Sequence, residues 1–266
     1  SQRSYGGSDD EFVPAFAKTA DGGYVVACWS ASGDKDLTRN KGSYDFWVFK
    51  TKSNGDIEWQ KNFGGSSRDQ SNSILTLKNG GYLVTGHTLS NDSDITKNYG
   101  GQDGILMKID KYGNLTWLKC YGGTGEDELF SAIETDDGKF IACGYTNSND
   151  GMVAGNHGNK DVWLIKTDSN GNLLWQQPYG GGADDVANAI CKSTTANMFF
   201  ISGYTFSSNG NFGTVKGSAD GLLFKVDSSG TILNSSISGG TMYDAFSAMA
   251  QTSDGGCIVT GFTESA

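Results

Sequence analysis

The chain has 266 residues and a net charge of −10, with 30 Asp and Glu against 20 Lys and Arg. Its basic residues form no run or stripe, which argues against a nucleic-acid role, and no apolar stretch is long enough to span a bilayer. Glycine is frequent at 39 and proline nearly absent at 2, yet the sequence is too regular for a low-complexity tail.

Read in chain order, the first landmark is Tyr5 followed by a Gly-Gly pair. An apolar run from Tyr24 ("YVVAC") follows, then a polar loop and a run from Asp45 to Lys50. A turn at Gly55 leads to Trp59. The second unit repeats this layout. "SILTLK" is predicted as strand A, "YLVTGHT" as strand B, "DGILMKID" as strand C and "LTWLKC" as strand D. Short β-branched and aromatic runs bounded by Gly, Asn and Asp are the strand signature, and Asn-Gly and Asp-Gly supply the positive φ of tight hairpins. The third and fourth units keep the step. The residues before Gly-Gly are Tyr5, Phe63, Tyr121, Tyr179 and Ser238, spaced 58, 58, 58 and 59 apart. Only "EDELFSAI" hints at a helical period. A fifth unit offers strand A ("AFSAMAQ") and strand B ("CIVTGFT") and then reaches Ala266.

A fixed period decides the architecture. Strand B is apolar at consecutive positions, so both of its faces are covered. Tandem four-stranded meanders buried on both faces predict an all-β fold. The expected form is a single β-propeller over residues 1–266, with five four-stranded blades of about 58 residues. "SQRS" aligns with strand D, so the fifth blade is expected to be built from both termini and to lack one strand, strand C. No signal peptide is visible, and the chain begins mid-repeat, so a leader could have been removed. The chain reads as a monomeric domain of a larger protein. Cysteine is odd in number, without zinc spacing, and reads as a small buried hydrophobe. Cys28 and Cys143 are taken as equivalent positions of two units.

The pattern "GG…D", then "DGGY-V-GxTxS", then "G-DxWxxKxDxxG", resembles the bacterial SBBP-type β-propeller repeat. It is similar in layout to kelch repeats, with a Gly-rich strand B and a Trp on strand D. The resemblance covers nearly the whole chain. It implies a propeller in a secreted or surface-attached bacterial protein, and no single activity. The family's name refers to seven blades, and this chain has residues for five units.

Meander topology puts the B–C and D–A loops at one end of each sheet and the A–B and C–D hairpins at the other. The B–C loops are long, polar and variable, so the functional face is expected there. Glu11, Asp69, Asp127, Asp185 and Asp244 follow the Gly-Gly crossing in each unit. As channel-mouth acids they form a candidate binding ring for a hard cation; as local acceptors they anchor the turn. Asp34, Asp36, Asp92 and Asp94 alternate like the start of a Ca²⁺ loop without its distal Glu. Calcium is thus the one ion the pattern admits, and no cofactor is required. His87 sits where other units carry Trp29, Tyr145 and Tyr204, and His157 has no nucleophile motif beside it. No residue is assigned as catalytic. The reading is a binding or scaffold module for a glycan or protein ligand. The alternative is a glycan-active hydrolase or lyase with a pocket at the central channel, which needs two carboxylates in unlike environments.

Overall fold

A computed structural model of the chain describes residues 2–266. The described residues form strands and no helix. The first sheet is β1 (Glu11–Lys18), β2 (Tyr24–Ser30), β3 (Asp45–Thr51) and β4 (Ile57–Phe63); the second is β5 (Asp69–Thr76), β6 (Tyr82–Thr88), β7 (Asp103–Ile109) and β8 (Leu115–Tyr121). The third comprises β9 (Asp127–Glu134), β10 (Phe140–Thr146), β11 (Asp161–Thr167) and β12 (Leu173–Tyr179). The fourth comprises β13 (Asp185–Lys192), β14 (Met198–Thr205), β15 (Asp220–Asp227) and β16 (Ile232–Ser238). A two-stranded sheet, β17 (Asp244–Gln251) and β18 (Cys257–Thr263), follows. Every neighbouring pair is an antiparallel meander pair, as the short A–B and C–D turns require. Two compact units result, Ser1–Tyr121 and Gly122–Ala266.

In the first unit, β5 of the second sheet packs across β1, β2 and β3 of the first. Val25, Ala27, Phe46, Val48, Val84, Ile105 and Met107 fill the space between them. In the second unit, β13 packs across β9, β10 and β11, and β17 packs across β13, β14 and β15. The core there includes Ile141, Leu164, Ile201, Leu222 and Phe224. This face-to-face stacking buries most of both sides of strands B and C in the four-stranded sheets, whereas β18, strand B of the fifth sheet, is largely exposed. β3, β6 and β10 are buried along their whole length, which explains their continuous apolar runs.

Three sequence expectations are corrected, and the one helical hint resolves as strand. Strand A of the second unit begins at Asp69 rather than Ser73, so the repeated acid is the first residue of each A strand. "EDELFSAI" lies largely in β9, its alternate residues facing opposite sides of the sheet as a strand demands. Cys28 and Cys143 are offset by one position: Cys28 pairs opposite Trp47 and Cys143 opposite Leu164, whereas Gly144 opposes Trp163. The two thiols therefore belong to opposite faces of their sheets. Finally, residues 2–10 carry no strand, and the fifth sheet has two strands. A strand D ladders onto a strand C, and among the described residues the fifth sheet holds β17 and β18 alone. Arg3 and Tyr5 are tied instead to the β3–β4 turn, through Arg3–Asp56 at 2.7 Å and the Tyr5 hydroxyl donating to the Gly55 carbonyl at 2.5 Å.

One glycine position is set by this packing. Gly86, Gly144, Gly203 and Gly261 face a bulge in strand A, and a Cβ at Gly144 would lie 1.8 Å from the Glu128 carbonyl oxygen. In the first sheet Cys28 takes this place. No ladder pair forms opposite it between Phe12–Trp29 and Ala15–Ala27, where Pro14 also lacks an N–H to give.

Candidate functional site

The B–C loops and D–A connections meet at one end of every sheet, and their side chains are spent on one another. In the second unit of the repeat, Gly65 N–H donates to Asp69 at 2.8 Å, and the Ser90 hydroxyl donates to the same carboxylate at 2.9 Å. The Thr88 hydroxyl takes its other oxygen. The pattern recurs at Asp127 with Gly123, Thr146 and Ser148, and at Asp185 with Gly181, Thr205 and Ser207. It recurs again at Asp244 with Gly240, Thr263 and Ser265. Glu11 accepts from Gly7 N–H and the Ser30 hydroxyl. The five acids are thus placed as turn anchors, each on its own connection.

The alternating acids of the B–C loops do the same work from the other side. Asp34 and Asp36 accept from the backbone N–H groups of Ser8 and Gly6, at 2.9 and 3.1 Å. Asp92 and Asp94 accept from Ser66 and Gly64, at 2.7 and 3.1 Å. Asp150, Asn209 and Asn211 repeat these bonds to Thr124, Gly182 and Gly180. A polar side chain therefore clasps each successive amide of the Gly-Gly crossing. Among the described residues, no group of three or more His, Cys, Asp or Glu side chains is arranged to hold a metal ion.

A second acid, missed in the sequence reading as a site residue, lies under each crossing. Asp45, Asp161 and Asp220 begin strand C and are fully buried. One oxygen of each accepts the N–H four residues earlier, from Lys41, His157 and Lys216; the other has no hydrogen-bond donor. That second oxygen faces the first glycine of the crossing. A Cβ on Gly64 would come within 2.5 Å of Asp45 and 2.7 Å of Asp69, so only glycine fits between the two carboxylates. Burial, with Asp69 nearby, pushes Asp45 up to about 7. Burial also raises Asp69, Asp127, Asp161 and Asp185 against the pull of their donors. Asp244 has the same ligands but is held below the usual carboxylate range by the Thr263 hydroxyl and Gly240 amide, because its two-stranded sheet desolvates it less.

Aromatic side chains emerge beside these loops. Tyr204, Phe206, Tyr243 and Phe262 form one cluster, with Tyr243 stacked on Phe262 at 5.1 Å and 5.6 Å from Phe206. Phe262 is 50% exposed. In the first unit Phe12 stacks on Trp29 at 4.0 Å, and Trp29 meets Tyr44 edge-on at 5.0 Å. Tyr145 carries the Lys160 ammonium 4.0 Å above its ring. His87 holds the equivalent position and is buried. His157 lies in the B–C loop four residues before β11, its Nδ1 2.6 Å from Asp161. Position-by-position repeat comparison marks the strand-B aromatics; their clustering with Tyr44 and Tyr243 depends on how successive sheets stack.

At the hairpin end, side chains tie successive sheets together. Trp59 donates its indole N–H to the Lys111 carbonyl at 3.1 Å and lies against Gly113 of the next turn. Trp175 does the same to Ser228 at 3.3 Å. Both, like Trp117, are half-buried. Lys50 is buried between Asp21 and Glu58, Lys166 donates to the Ser228 carbonyl at 3.1 Å, and Lys225 lies over Phe200.

No family model matches the chain, and no curated protein matches it in sequence. Among solved structures it is similar to the Pan2 WD40 domain of Neurospora crassa, at 12% identity and a TM-score of 0.50, over 93% of this chain and 60% of that one. It also matches a B. megaterium levansucrase mutant at 12% identity and a TM-score of 0.37, over 82% of this chain and 66% of that one. A subtype N10 neuraminidase-like protein from a little yellow-shouldered bat matches at 9% identity and a TM-score of 0.42, over 81% and 65%. The chain thus spans about three-fifths of the WD40 domain it matches. The likeness to that domain is one of fold, and it identifies the stacked four-stranded sheets as blades of the β-propeller class.

Proposed function

We propose that the protein is a binding module that recognises a glycan through the blade ends carrying the B–C loops and D–A connections. The observation that carries this reading is the half-exposed aromatic cluster of Tyr204, Phe206, Tyr243 and Phe262. Aromatic faces beside fixed polar loops offer apolar area at little conformational cost, and a sugar ring presents a matching C–H face. A second platform of Phe12, Trp29 and Tyr44 at the same end of the first sheet supports shallow, repeated sites, and with them multivalent binding. The acids at this end are engaged in holding backbone amides, which argues for recognition over hydrolysis. This reading takes the two-stranded sheet as part of a fifth blade. It places the domain on a bacterial surface or outside the cell and needs no metal.

A glycan array probed with the wild type and with Tyr243→Ala, each with and without chelator, tests it. Binding that is lost in Tyr243→Ala and indifferent to chelator is expected. An array without signal, or one unchanged by the substitution, would overturn the reading and leave a protein ligand as the next candidate.

A further inference from the structure

The blades of a repeat protein are most informative where one departs from its siblings. In the second unit, the seam between the third and fourth sheets carries two links at its hairpin end besides the Trp175–Ser228 bond, whose counterpart Trp59–Lys111 spans the first seam. Lys192 pairs with Asp136 at 2.8 Å, and Lys166 reaches across to the Ser228 carbonyl. One repeat step of 116 residues earlier, the seam between the first and second sheets has neither. Ala20 stands where the third sheet has Asp136, and Thr76 where the fourth has Lys192. Lys50, the counterpart of Lys166, turns back to Asp21 and Glu58 of its own sheet; Glu58 stands where the third sheet has Leu174. The seam is open as a cleft of about 460 Å³, within the size range of small-ligand sites.

Its lining is unusual for a protein of net charge −10. Lys18, Lys50, Lys78 and Lys111 converge on it against only Asp21 and Glu58. Both carboxylates are held by Lys50, so the positive excess that serves the cleft lies with Lys18 and Lys111. Tyr112, 63% exposed, stands at the rim with the Lys111 ammonium 5.0 Å from its ring centre. We propose that this cleft binds an acidic saccharide unit, its carboxylate or sulfate held by Lys18 and Lys111 and its ring face laid on Tyr112. The negative charge of the whole protein repels a densely charged polymer such as nucleic acid, so a ligand carrying sparse charge on a ring suits the cleft. The site lies at the opposite blade end from the aromatic cluster and stands independently of it.

Calorimetric titration with tetragalacturonate, inorganic sulfate and an uncharged tetrasaccharide tests the proposal. Tetragalacturonate is expected to bind the wild type, more weakly as salt rises, and the uncharged sugar is not. Inorganic sulfate is expected to compete with tetragalacturonate for the same lysines but to bind more weakly, lacking the ring contact with Tyr112. Lys18→Ala/Lys111→Ala, both exposed positions, is expected to weaken tetragalacturonate binding about tenfold or more. Ala20→Asp/Thr76→Lys, which installs the pair that closes the other seam, is expected to abolish it. Tyr243→Ala is expected to leave it intact, which separates this site from the aromatic face. No binding of tetragalacturonate, equal binding of the uncharged sugar, or full affinity in the double lysine variant would each overturn the proposal.

Discussion

A buried carboxylate is stable only if its oxygens are met by donors, and Asp127 shows how completely the repeat provides them. Gly123 N–H and the Thr146 and Ser148 hydroxyls converge on it. Asp127→Ala would strand three donors and is expected to destabilise by on the order of 3 kcal/mol in urea unfolding. Asp45 is the contrasting case, with one oxygen facing Asp69 and no donor on it. Its folded value of about 7 lies above the ordinary 3.8. Between those values the folded state binds the extra proton, so this contribution to stability is full below about pH 4 and is lost as pH rises through about 7. Asp45→Asn, which mimics the protonated form at every pH, is expected to flatten that part of the melting profile. A variant with an unchanged pH slope would show that Asp45 stays ionised in the fold.

At the scale of the element, the D–A connection is held as a unit by side chains from its own blade's strand A and from the B–C loop. Asp150 takes both the N–H and the hydroxyl of Thr124, each at 2.7 Å. Asp150→Ala is expected to speed amide hydrogen exchange at Thr124 and its neighbours while leaving β9 and β10 protected; exchange unchanged at Thr124 would mean the loop is held without the clasp. Asp34, Asp36, Asp92 and Asp94 are engaged in the same way, so added Ca²⁺ is expected to leave the melting temperature unchanged. A rise abolished by Asp92→Ala would reassign these loops to metal binding. At the hairpin end, Trp59 joins two blades through Lys111 and Gly113. Trp59→Ala is expected to cost on the order of 3 kcal/mol, and a change near zero would make its ring a ligand surface.

For the molecule as a whole, the repeat leaves its apolar faces uneven. β3, β6 and β10 are buried along their whole length, but β18 pairs only with β17 among the described residues. Its Ile258 and Phe262 are 63% and 50% exposed. An apolar strand with an open edge is a template for association. Ile258→Lys is therefore expected to reduce concentration-dependent self-association in sedimentation velocity without lowering the melting temperature. An equal degree of association would place the contact elsewhere.

The period of the chain was legible by itself because each strand's burial is imposed locally. Continuous apolar runs at "YLVTGHT" and "KFIAC" report two covered faces wherever they pack, and Asp-Gly and Asn-Gly turns dictate antiparallel neighbours. The anchoring role of Asp127 was legible too, since its donors lie within the same repeat. The one-position offset of Cys143 from Cys28 could have been read from the spacing, but similar short strings disguised it. What the sequence could not show depends on the stacking of one sheet on the next. The pairing of Asp45 with Asp69 across Gly64, the clustering of Tyr243 with Tyr204 and Phe262, and the open seam beneath Ala20 and Thr76 all join residues of different repeats. No local pattern reports such contacts, because their geometry is set by the packing of whole sheets rather than by the residues that happen to meet there.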